Sequence, residues 1–172
     1  FSTKKLSYFS LYELFVKKTI FEISKTLDSI NPNIINKIIY TSSSSVYGSI
    51  DSNLNLKDDN NRKIYAGFKI ASELLIKNYC NKNDIPLNIC RVFNLYGKNN
   101  EFSIIEKIKN AKKNNQRIQI YNQGSSLRDF VHIDDVVKIY IELLSVKNVY
   151  YVNVGTGKGG SVLSILEFLR VQ

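Results

Sequence analysis

Short apolar runs alternate with longer amphipathic segments along most of this chain, and that alternation limits the folds open to it. The runs typical of buried strands lie at 37–41, 86–93 and 149–154. Because strands joined through helices pair in parallel, the pattern predicts a mainly parallel sheet covered by helices. Binding and catalysis in such sheets take place in the loops after the carboxyl ends of the strands. The candidate loops follow Thr41, Phe93 and Val154.

Apolar periodicity also predicts where the helices lie. Apolar residues recur at helical spacing in five segments, at 11–30, 65–81, 102–115, 134–145 and 161–169. A short strand is predicted at 117–121 and a polar turn at 122–126. The residues from 42 to 64 are rich in Ser, Asn and Asp and are predicted to form a long irregular loop. Asp134 and Asp135 suit a helix N-terminus, where negative charge is favourable.

The composition is that of an ordinary globular protein. Of the 172 residues, 44% are hydrophobic and 23% are charged, so the chain can bury a core without disulfides or metals. The longest apolar run, 149–152, is too short for a membrane-spanning helix or a signal-peptide core. Cys80 and Cys90 are expected to be buried thiols in a reducing compartment. The single histidine, His132, excludes a histidine-rich metal site and is expected to be structural, and no metal is predicted.

A net charge of +9 raises the question of a nucleic-acid partner. Lysine, asparagine and isoleucine are abundant, and because AT-rich codons encode all three, genome composition can account for the charge. The densest basic stretch, 107–117, lacks the aromatic residues that stack on bases and is predicted to be a solvated helix face. We therefore expect no nucleic acid and no membrane as partner, with a basic nucleic-acid module kept as a lesser alternative.

Tyr65 and Lys69 are four residues apart in a predicted helix, so they lie on one face about one turn apart. A tyrosine alone is a poor base near neutral pH, since its reference pKa is about 10. A neighbouring ammonium favours the phenolate and lowers that pKa, which makes the pair suitable for proton transfer. The same spacing also occurs on ordinary amphipathic helices. Serine hydroxyls at 42–45, directly after a predicted strand, could hydrogen-bond an oxygen that is oxidised or reduced.

Four segments, in this order, resemble the extended short-chain dehydrogenase/reductases, and among them the nucleotide-sugar epimerases and dehydratases. The matching segments are the Ser/Thr segment at 39–48, the Tyr-x-x-x-Lys helix at 65–69 with Glu73 one turn on, the Arg-x-x-Asn-x-Tyr-Gly segment at 91–97, and the substrate-phosphate segment at 120–135. Asn153 and Gly155 fit the family's later Asn-x-Gly strand end. The resemblance covers nearly the whole chain and is to enzymes of the UDP-hexose 4-epimerase type, which serve polysaccharide biosynthesis.

The resemblance implies an α/β fold with a doubly wound, mainly parallel, Rossmann-like sheet and a small C-terminal substrate-binding region. Residues 1–93 would form the second half of an NAD-binding domain. Residues 94–172 would form the substrate-binding portion, interleaved with the last sheet strands. The family's opening βαβ unit, which carries the pyrophosphate-binding glycines, has no counterpart in this sequence. We therefore expect the fold to be partial and the chain to be N-terminally truncated.

The resemblance also implies the roles of individual residues. Tyr65 would remove a proton from a sugar hydroxyl while hydride passes to NAD, and Ser43 would hydrogen-bond the same oxygen. Lys69 would hold the nicotinamide ribose and lower the pKa of Tyr65. The cofactor would contact Thr41, Ser42, Tyr65, Lys69 and Phe93, and the nucleotide-diphosphate sugar would contact Ser43, Asn94 and Arg128. NAD is the expected cofactor, with NADP left open.

Two serines indicate the subclass within this family. The family's 4,6-dehydratases carry Asp-Glu directly after the catalytic Ser/Thr, whereas this chain has Ser44 and Ser45. An epimerase-type oxidoreductase, acting at a sugar carbon such as C4, is therefore the expected activity. The alternatives are a nucleotide keto-sugar reductase of the same family and a non-catalytic fragment or scaffold with this fold. The full-length enzyme is expected to be a cytoplasmic homodimer.

One glycine-rich segment imitates a dinucleotide fingerprint. Residues 155–160 satisfy Gly-x-Gly-x-x-Gly, follow a predicted strand and open a predicted helix. A true fingerprint is followed by an acidic ribose ligand about 20 residues on, and only 12 residues follow Gly160. We therefore interpret the segment as a turn late in the fold.

Overall fold

In a computed structural model of the chain, residues 16–48, 59–98, 100, 103–146 and 149–169 are described. The strands are β1 (Ile38–Ser43), β2 (Leu87–Val92), β3 (Asn94–Tyr96), β4 (Leu127–His132), β5 (Tyr151–Val154) and β6 (Gly159–Ser161). The α-helices are α1 (Glu22–Ser29), α2 (Asp59–Lys82), α3 (Ile104–Lys113), α4 (Ile133–Ser145) and α5 (Val162–Phe168). A π-helical turn, Lys17–Phe21, leads into α1, and short 3₁₀ turns lie at Pro32–Ile34, Ser44–Tyr47 and Asn122–Gly124.

The chain divides into two compact units. The first consists of Phe1–Arg91 and Glu142–Asn153, and the second of Val92–Ile141 and Val154–Gln172. The first unit contains the sheet β1-β2-β5, apart from the last residue of β2 and of β5. The second unit contains the sheet β3-β4-β6.

Strand β2 lies in the middle of the first sheet and is parallel to β5. The backbone N–H of Ile89 donates to the carbonyl of Tyr150, and that of Phe93 donates to the carbonyl of Val154, so both strands advance in the same direction. Residues 87–90 are all buried, as expected for a mostly apolar strand with both faces covered. The predicted α/β fold with a parallel sheet is confirmed.

Helix α2 covers one face of this sheet. Its buried residues Ile76 and Cys80 follow one another at helical spacing and pack with Leu87 and Ile89 of β2. Half-buried apolar residues of α1 and β1 complete the cluster. Cys80 and Cys90 are free and buried, which confirms the prediction of buried thiols, and burial raises the pKa of Cys80 to about 11.

The second unit is organised around β4. Strand β3 pairs with β4 in parallel, with Asn94 opposite Phe130, and β6 pairs with β4 antiparallel, with Arg128 opposite Gly160. Helix α3 buries Ile105, Ile108 and Ala111 on one face and keeps its lysines outside. The basic stretch at 107–117 is thus largely the outer face of this helix and the exposed segment after it, as predicted.

Several predicted boundaries were wrong. Helix α2 begins at Asp59, six residues before the predicted start at Tyr65, because its polar first turns carry no apolar period. Residues 116–120 adopt no regular structure, so the strand predicted at 117–121 is absent; its alternation pattern is present, but no neighbouring strand pairs with it. The three-residue strands β3 and β6 were not predicted. Residues 11–15 of the first predicted helix, and residues 49–58 of the predicted loop, lie outside the described residues.

Ser42 and Ser43 belong to β1 and not to a loop, since the strand continues two residues beyond its apolar run. Among the residues that the structure describes, no helix is both long and apolar enough to cross a membrane. Within the same residues, no group of three His, Cys, Asp or Glu side chains could hold a metal ion.

Candidate active site

The three predicted catalytic residues lie together in the first unit, where β1 ends beside α2. Ser43 is the last residue of β1, and its hydroxyl forms a side-chain hydrogen bond with Tyr65. The same oxygen accepts hydrogen bonds from the backbone N–H of Ser45, at 3.2 Å, and from the Ser45 hydroxyl, at 3.0 Å. Tyr65 is only 9% exposed. The strand end and the helix therefore hold the serine and the tyrosine in direct contact.

Burial raises the pKa of Tyr65 above its ordinary value, and the hydrogen bond from Ser43 partly opposes that effect. The prediction that Lys69 lowers this pKa is not met. The Lys69 Nζ instead donates to the backbone carbonyl of Thr41, at 2.9 Å, and lies 5.2 Å from the ring centroid of Tyr40. In this structure the Ser43 hydroxyl is thus the group that favours the Tyr65 phenolate.

Lys69 has a perturbed pKa of its own. Burial lowers the pKa of the ammonium below its ordinary value, and the negative charge of Glu73 opposes that lowering. Glu73 lies one helical turn after Lys69, on the same face of α2. The carboxylate therefore helps to keep the lysine charged at a partly buried position.

Glu73 is the centre of a hydrogen-bond network. Its members lie in the sequence motifs, but the motifs did not indicate that these residues contact one another. The Ser42 hydroxyl donates to Oε1 of Glu73 at 2.5 Å. Arg91 donates from Nε to Oε1 at 3.1 Å and from Nη2 to Oε2 at 2.8 Å. The Glu73 side chain is 5% exposed and that of Arg91 18%, so this is a mostly buried, two-pronged ion pair. Together with the Ser42 hydrogen bond, it joins α2 to β1 and β2.

Arg91 is also held from its faces by two tyrosine rings. Its guanidinium lies 4.8 Å from the ring centroid of Tyr47 and 4.2 Å from that of Tyr151. The Tyr47 hydroxyl donates to Oδ1 of Asn153 at 2.6 Å. These contacts of Tyr47 connect the turn after β1 with β2 and β5. The sequence signal that could have located the network is the i,i+4 spacing of Lys69 and Glu73.

The other predicted site residues, Phe93, Asn94 and Arg128, belong to the second unit. The Asn94 amide nitrogen donates to the backbone carbonyl of Asp129 at 3.1 Å. Arg128 is exposed, and its Nη1 donates to the carbonyl of Leu127 at 2.8 Å. Strand pairing of β3 with β4 thus brings Asn94 next to the segment that carries Arg128.

The glycine-rich segment after β5 binds a carboxylate of the protein itself through its backbone N–H groups. The Asp129 carboxylate accepts hydrogen bonds from the backbone N–H groups of Thr156, at 2.9 Å, and Gly157, at 2.8 Å. In a dinucleotide fingerprint such backbone groups face a pyrophosphate. Their use by Asp129 agrees with the interpretation of this segment as a turn.

His132, at the end of β4, makes contacts typical of a structural residue. Its Nδ1 accepts a hydrogen bond from the backbone N–H of Asp134 at 3.2 Å, and its ring meets the edge of Tyr96 at a centroid distance of 5.1 Å. An oxygen of the Asp134 carboxylate lies 3.5 Å from the same nitrogen. The imidazole therefore supports the start of α4.

Comparison with known proteins identifies the family. The model of the NAD dependent epimerase/dehydratase family matches residues 16–155. A dTDP-D-glucose 4,6-dehydratase of Dictyostelium discoideum is 33% identical over 143 residues, which cover 71% of this chain and 32% of that protein.

Two solved structures share the fold. The UDP-N-acetylglucosamine 4-epimerase from Methanobrevibacter ruminantium M1, in complex with UDP-N-acetylmuramic acid, superposes with a TM-score of 0.75 at 27% identity, over 90% of this chain and 52% of that one. The UDP-glucuronic acid 4-epimerase from Bacillus cereus, in complex with UDP-glucuronic acid and NAD, gives 0.73 at 25% identity, over 90% and 51%. This chain thus spans between a third and a half of the length of these relatives.

Proposed function

The chain belongs to the NAD dependent epimerase/dehydratase family, and we propose that it forms part of an enzyme that epimerises a nucleotide sugar by hydride transfer at C4. The observation that carries the proposal is the hydrogen bond between Ser43 and the buried Tyr65, with Lys69 one turn along the same helix. Inversion at C4 needs one group that takes a proton from the hydroxyl and returns it. It needs no additional acid–base pair.

Tyr65 is the proton acceptor of the proposed reaction. Its phenolate removes the proton of the sugar C4 hydroxyl as hydride leaves the same carbon, and its phenol returns the proton when hydride comes back to the opposite face. Ser43 hydrogen-bonds the sugar oxygen and also favours the phenolate, which supports its assignment beside Tyr65. Lys69 lies one turn along the same helix from Tyr65.

NAD suits this set of side chains. An ammonium at a partly buried position and a run of hydroxyls at the end of β1 provide donors for ribose hydroxyls. When bound, NAD accepts the hydride and returns it. Lys69 would hold the nicotinamide ribose, with Thr41, Ser42 and Phe93 as further cofactor contacts. The same side chains suit NADP.

Epimerisation is favoured over dehydration by the residues after Ser43. Elimination of water requires an acid and a base besides the tyrosine, and Ser44 and Ser45 provide neither at the positions where dehydratases carry Asp-Glu. A dehydratase is among the relatives, so the distinction depends on these two positions. A keto-sugar reductase would use the same Ser-Tyr-Lys set and differs in the product it releases.

The proposed substrate is a nucleotide-diphosphate sugar. Ser43 would contact the sugar, while Asn94 and Arg128 would hold the diphosphate. The exposed guanidinium of Arg128 supports this assignment because its planar fork can bind two phosphate oxygens. The molecules bound in the two solved epimerases include a UDP-linked sugar in each case, which favours the same class of substrate here.

We further propose a cytoplasmic homodimer for the full-length protein, with residues 1–93 as part of the cofactor domain and residues 94–172 as the substrate-binding portion. Two features support the proposal of a cytoplasmic homodimer. Ile70 and Leu74, one turn apart on α2, are 42% and 60% exposed, which suits an isologous helix contact. Cys80 and Cys90 are free, as is usual in reducing compartments.

The test is a panel of nucleotide-diphosphate sugars offered to the full-length natural protein with NAD, with C4 configuration followed by NMR. We expect one sugar pair to interconvert. Accumulation of a 4-keto-6-deoxy sugar would overturn epimerisation in favour of dehydration. Consumption of NADH or NADPH with a keto sugar would indicate the reductase. Steeply salt-dependent binding to random DNA, without turnover, would instead favour a nucleic-acid module.

A further inference from the structure

Asp129 connects β4 with the loop that follows β5, here called the 155–158 loop. Its Oδ1 accepts hydrogen bonds from the backbone N–H of Thr156, at 2.9 Å, and from the Thr156 hydroxyl, at 2.7 Å. Its Oδ2 accepts a hydrogen bond from the backbone N–H of Gly157 at 2.8 Å. Both carboxylate oxygens are therefore committed to one short stretch of chain, which makes this side chain the anchor of the loop.

The loop fits closely around this carboxylate. A Cβ at Gly155 would lie 2.5 Å from Oδ2 of Asp129 and 3.1 Å from the ring of Phe93, so only glycine can occupy the position without displacement. Gly157 has a φ of +72°, a left-handed conformation that aims its N–H at the carboxylate at low cost. Loop, carboxylate and Phe93 ring are thus in direct contact.

Asp129 also fixes a predicted substrate ligand through its backbone. The amide nitrogen of Asn94 donates to the Asp129 carbonyl at 3.1 Å, which orients the carboxamide. Asp129 directly follows Arg128, the other predicted diphosphate ligand. One residue therefore joins the two strand segments and the loop that surround the proposed binding residues of this unit.

The carboxylate is present as an anion over a wide pH range. Burial by itself raises the pKa of Asp129, but the hydrogen bonds from Thr156 and Gly157 outweigh it and hold the pKa below its ordinary value. Charge-assisted hydrogen bonds of this kind are about twice as strong as neutral ones. Because the carboxylate belongs to a residue of β4, its hydrogen bonds hold the 155–158 loop to that strand.

We propose that Asp129 is a positioning residue of the nucleotide-sugar site, whose carboxylate fixes the 155–158 loop against Phe93 and so keeps the binding surface of this unit in one arrangement. The inference rests on the proposed function, because it takes Asn94 and Arg128 as substrate ligands. Asp129 itself touches neither the substrate nor the reacting atoms. Its loss should weaken substrate binding and leave the chemical step largely intact.

The test compares Asp129→Asn with Glu167→Gln in the full-length protein. Asparagine preserves the shape of Asp129 but turns an NH₂ towards an N–H donor, whereas Glu167 is an exposed acid on α5. In Asp129→Asn we expect amide hydrogen exchange at 156–157 to accelerate about tenfold or more and the KM for nucleotide sugar to rise about tenfold. We expect kcat to change little. Glu167→Gln should change none of these quantities.

A second variant keeps the proposal testable if Asp129→Asn fails to fold. Thr156→Val removes one donor to Oδ1 and leaves the carboxylate, so exchange at 157 should accelerate by a smaller factor. Unchanged exchange in the variants, or faster exchange with an unchanged KM, would overturn the proposal. If the wild-type protein turns over no nucleotide sugar, the proposed function fails, while the exchange rates still decide whether Asp129 anchors the loop.

Discussion

At the scale of single residues, the acid–base properties of Tyr65 depend on its burial and on Ser43. Burial raises the pKa of the phenol, and the Ser43 hydrogen bond is the group that lowers it. Lys69, which the sequence spacing suggested for that task, is engaged with the Thr41 carbonyl. Spacing along a helix identified the correct face but not the hydrogen-bond partner, which comes from a strand distant in sequence.

Replacing Tyr65 by phenylalanine tests its role directly. Tyr65→Phe should reduce kcat about a thousandfold, because phenylalanine has no hydroxyl that can accept the sugar proton. Nucleotide-sugar binding, measured by calorimetry, should remain. Tyr79→Phe is the matched control on the same helix, since the Tyr79 hydroxyl donates to the Ile30 carbonyl away from Ser43. Equal activity of the two variants would contradict the assignment.

The pH dependence of the reaction tests the Ser43 contact. In the proposed reaction deprotonated Tyr65 accepts the proton, so kcat/KM for the sugar should rise as the pH rises towards the pKa of Tyr65. In Ser43→Ala the hydrogen bond that lowers the pKa of Tyr65 is lost, so this pKa rises further and the rise of kcat/KM moves to higher pH. Ser44→Ala should leave the pH dependence of kcat/KM unchanged. If the rise in Ser43→Ala is unchanged, or moves to lower pH, Ser43 does not act on Tyr65.

At the scale of secondary-structure elements, Glu73 joins α2 to both β1 and β2. The Ser42 hydroxyl of β1 donates to its carboxylate, and Arg91 of β2 forms an ion pair with it. A carboxylate that is 5% exposed is costly to bury unless it is paired, and the guanidinium supplies two hydrogen bonds. Together these contacts fix the helix that carries Tyr65 against the strand that carries Ser43.

Glu73→Gln should therefore destabilise the protein. Removing one partner of a mostly buried ion pair leaves the Arg91 charge uncompensated, and we expect the free energy of unfolding to fall by about 3 kcal/mol in urea titrations. Glu167→Gln, at an exposed position on α5, should change it by less than about 0.5 kcal/mol. A similarly small change in Glu73→Gln would show that the pair does not hold the elements together.

The 155–158 loop makes a separate prediction about stability. Gly155→Ala places a methyl group 2.5 Å from the Asp129 carboxylate, and the displacement should cost about 2 kcal/mol in thermal unfolding. Gly159→Ala is the control in the neighbouring strand, where the nearest atom to a new Cβ is 3.9 Å away. Its expected effect is below about 0.5 kcal/mol. Equal stability of the two variants would contradict the close packing around Asp129.

The elements that the sequence predicted correctly are those with strong apolar patterns. Strand β2 is a mostly apolar segment and helix α3 has a clear apolar face, and both were predicted within about two residues. Strands β3 and β6 have three residues each and exist because β4 pairs with them, which no local pattern can show. The stretch 117–121 shows the converse, since it alternates like a strand but has no partner.

At the scale of the whole molecule, the order of the motifs along the sequence is sufficient to indicate the family. The Ser43, Tyr65 and Lys69 positions followed from that resemblance, and the fold brings them together in one unit. The Glu73 network and the Asp129 anchor could not be predicted in the same way, because each joins segments that are far apart in sequence. Interactions that support a site are therefore visible only once the strands are paired.

The central claim is that this chain contains the acid–base group of an enzyme that inverts C4 of a nucleotide sugar by moving hydride from that carbon and back. The most direct measurement uses a substrate deuterated at C4, identified from the sugar panel, with the full-length protein. We expect the C4 epimer with the deuterium retained at C4, and no epimer with Tyr65→Phe. Exchange of the deuterium with solvent, or inversion that persists in Tyr65→Phe, would contradict it.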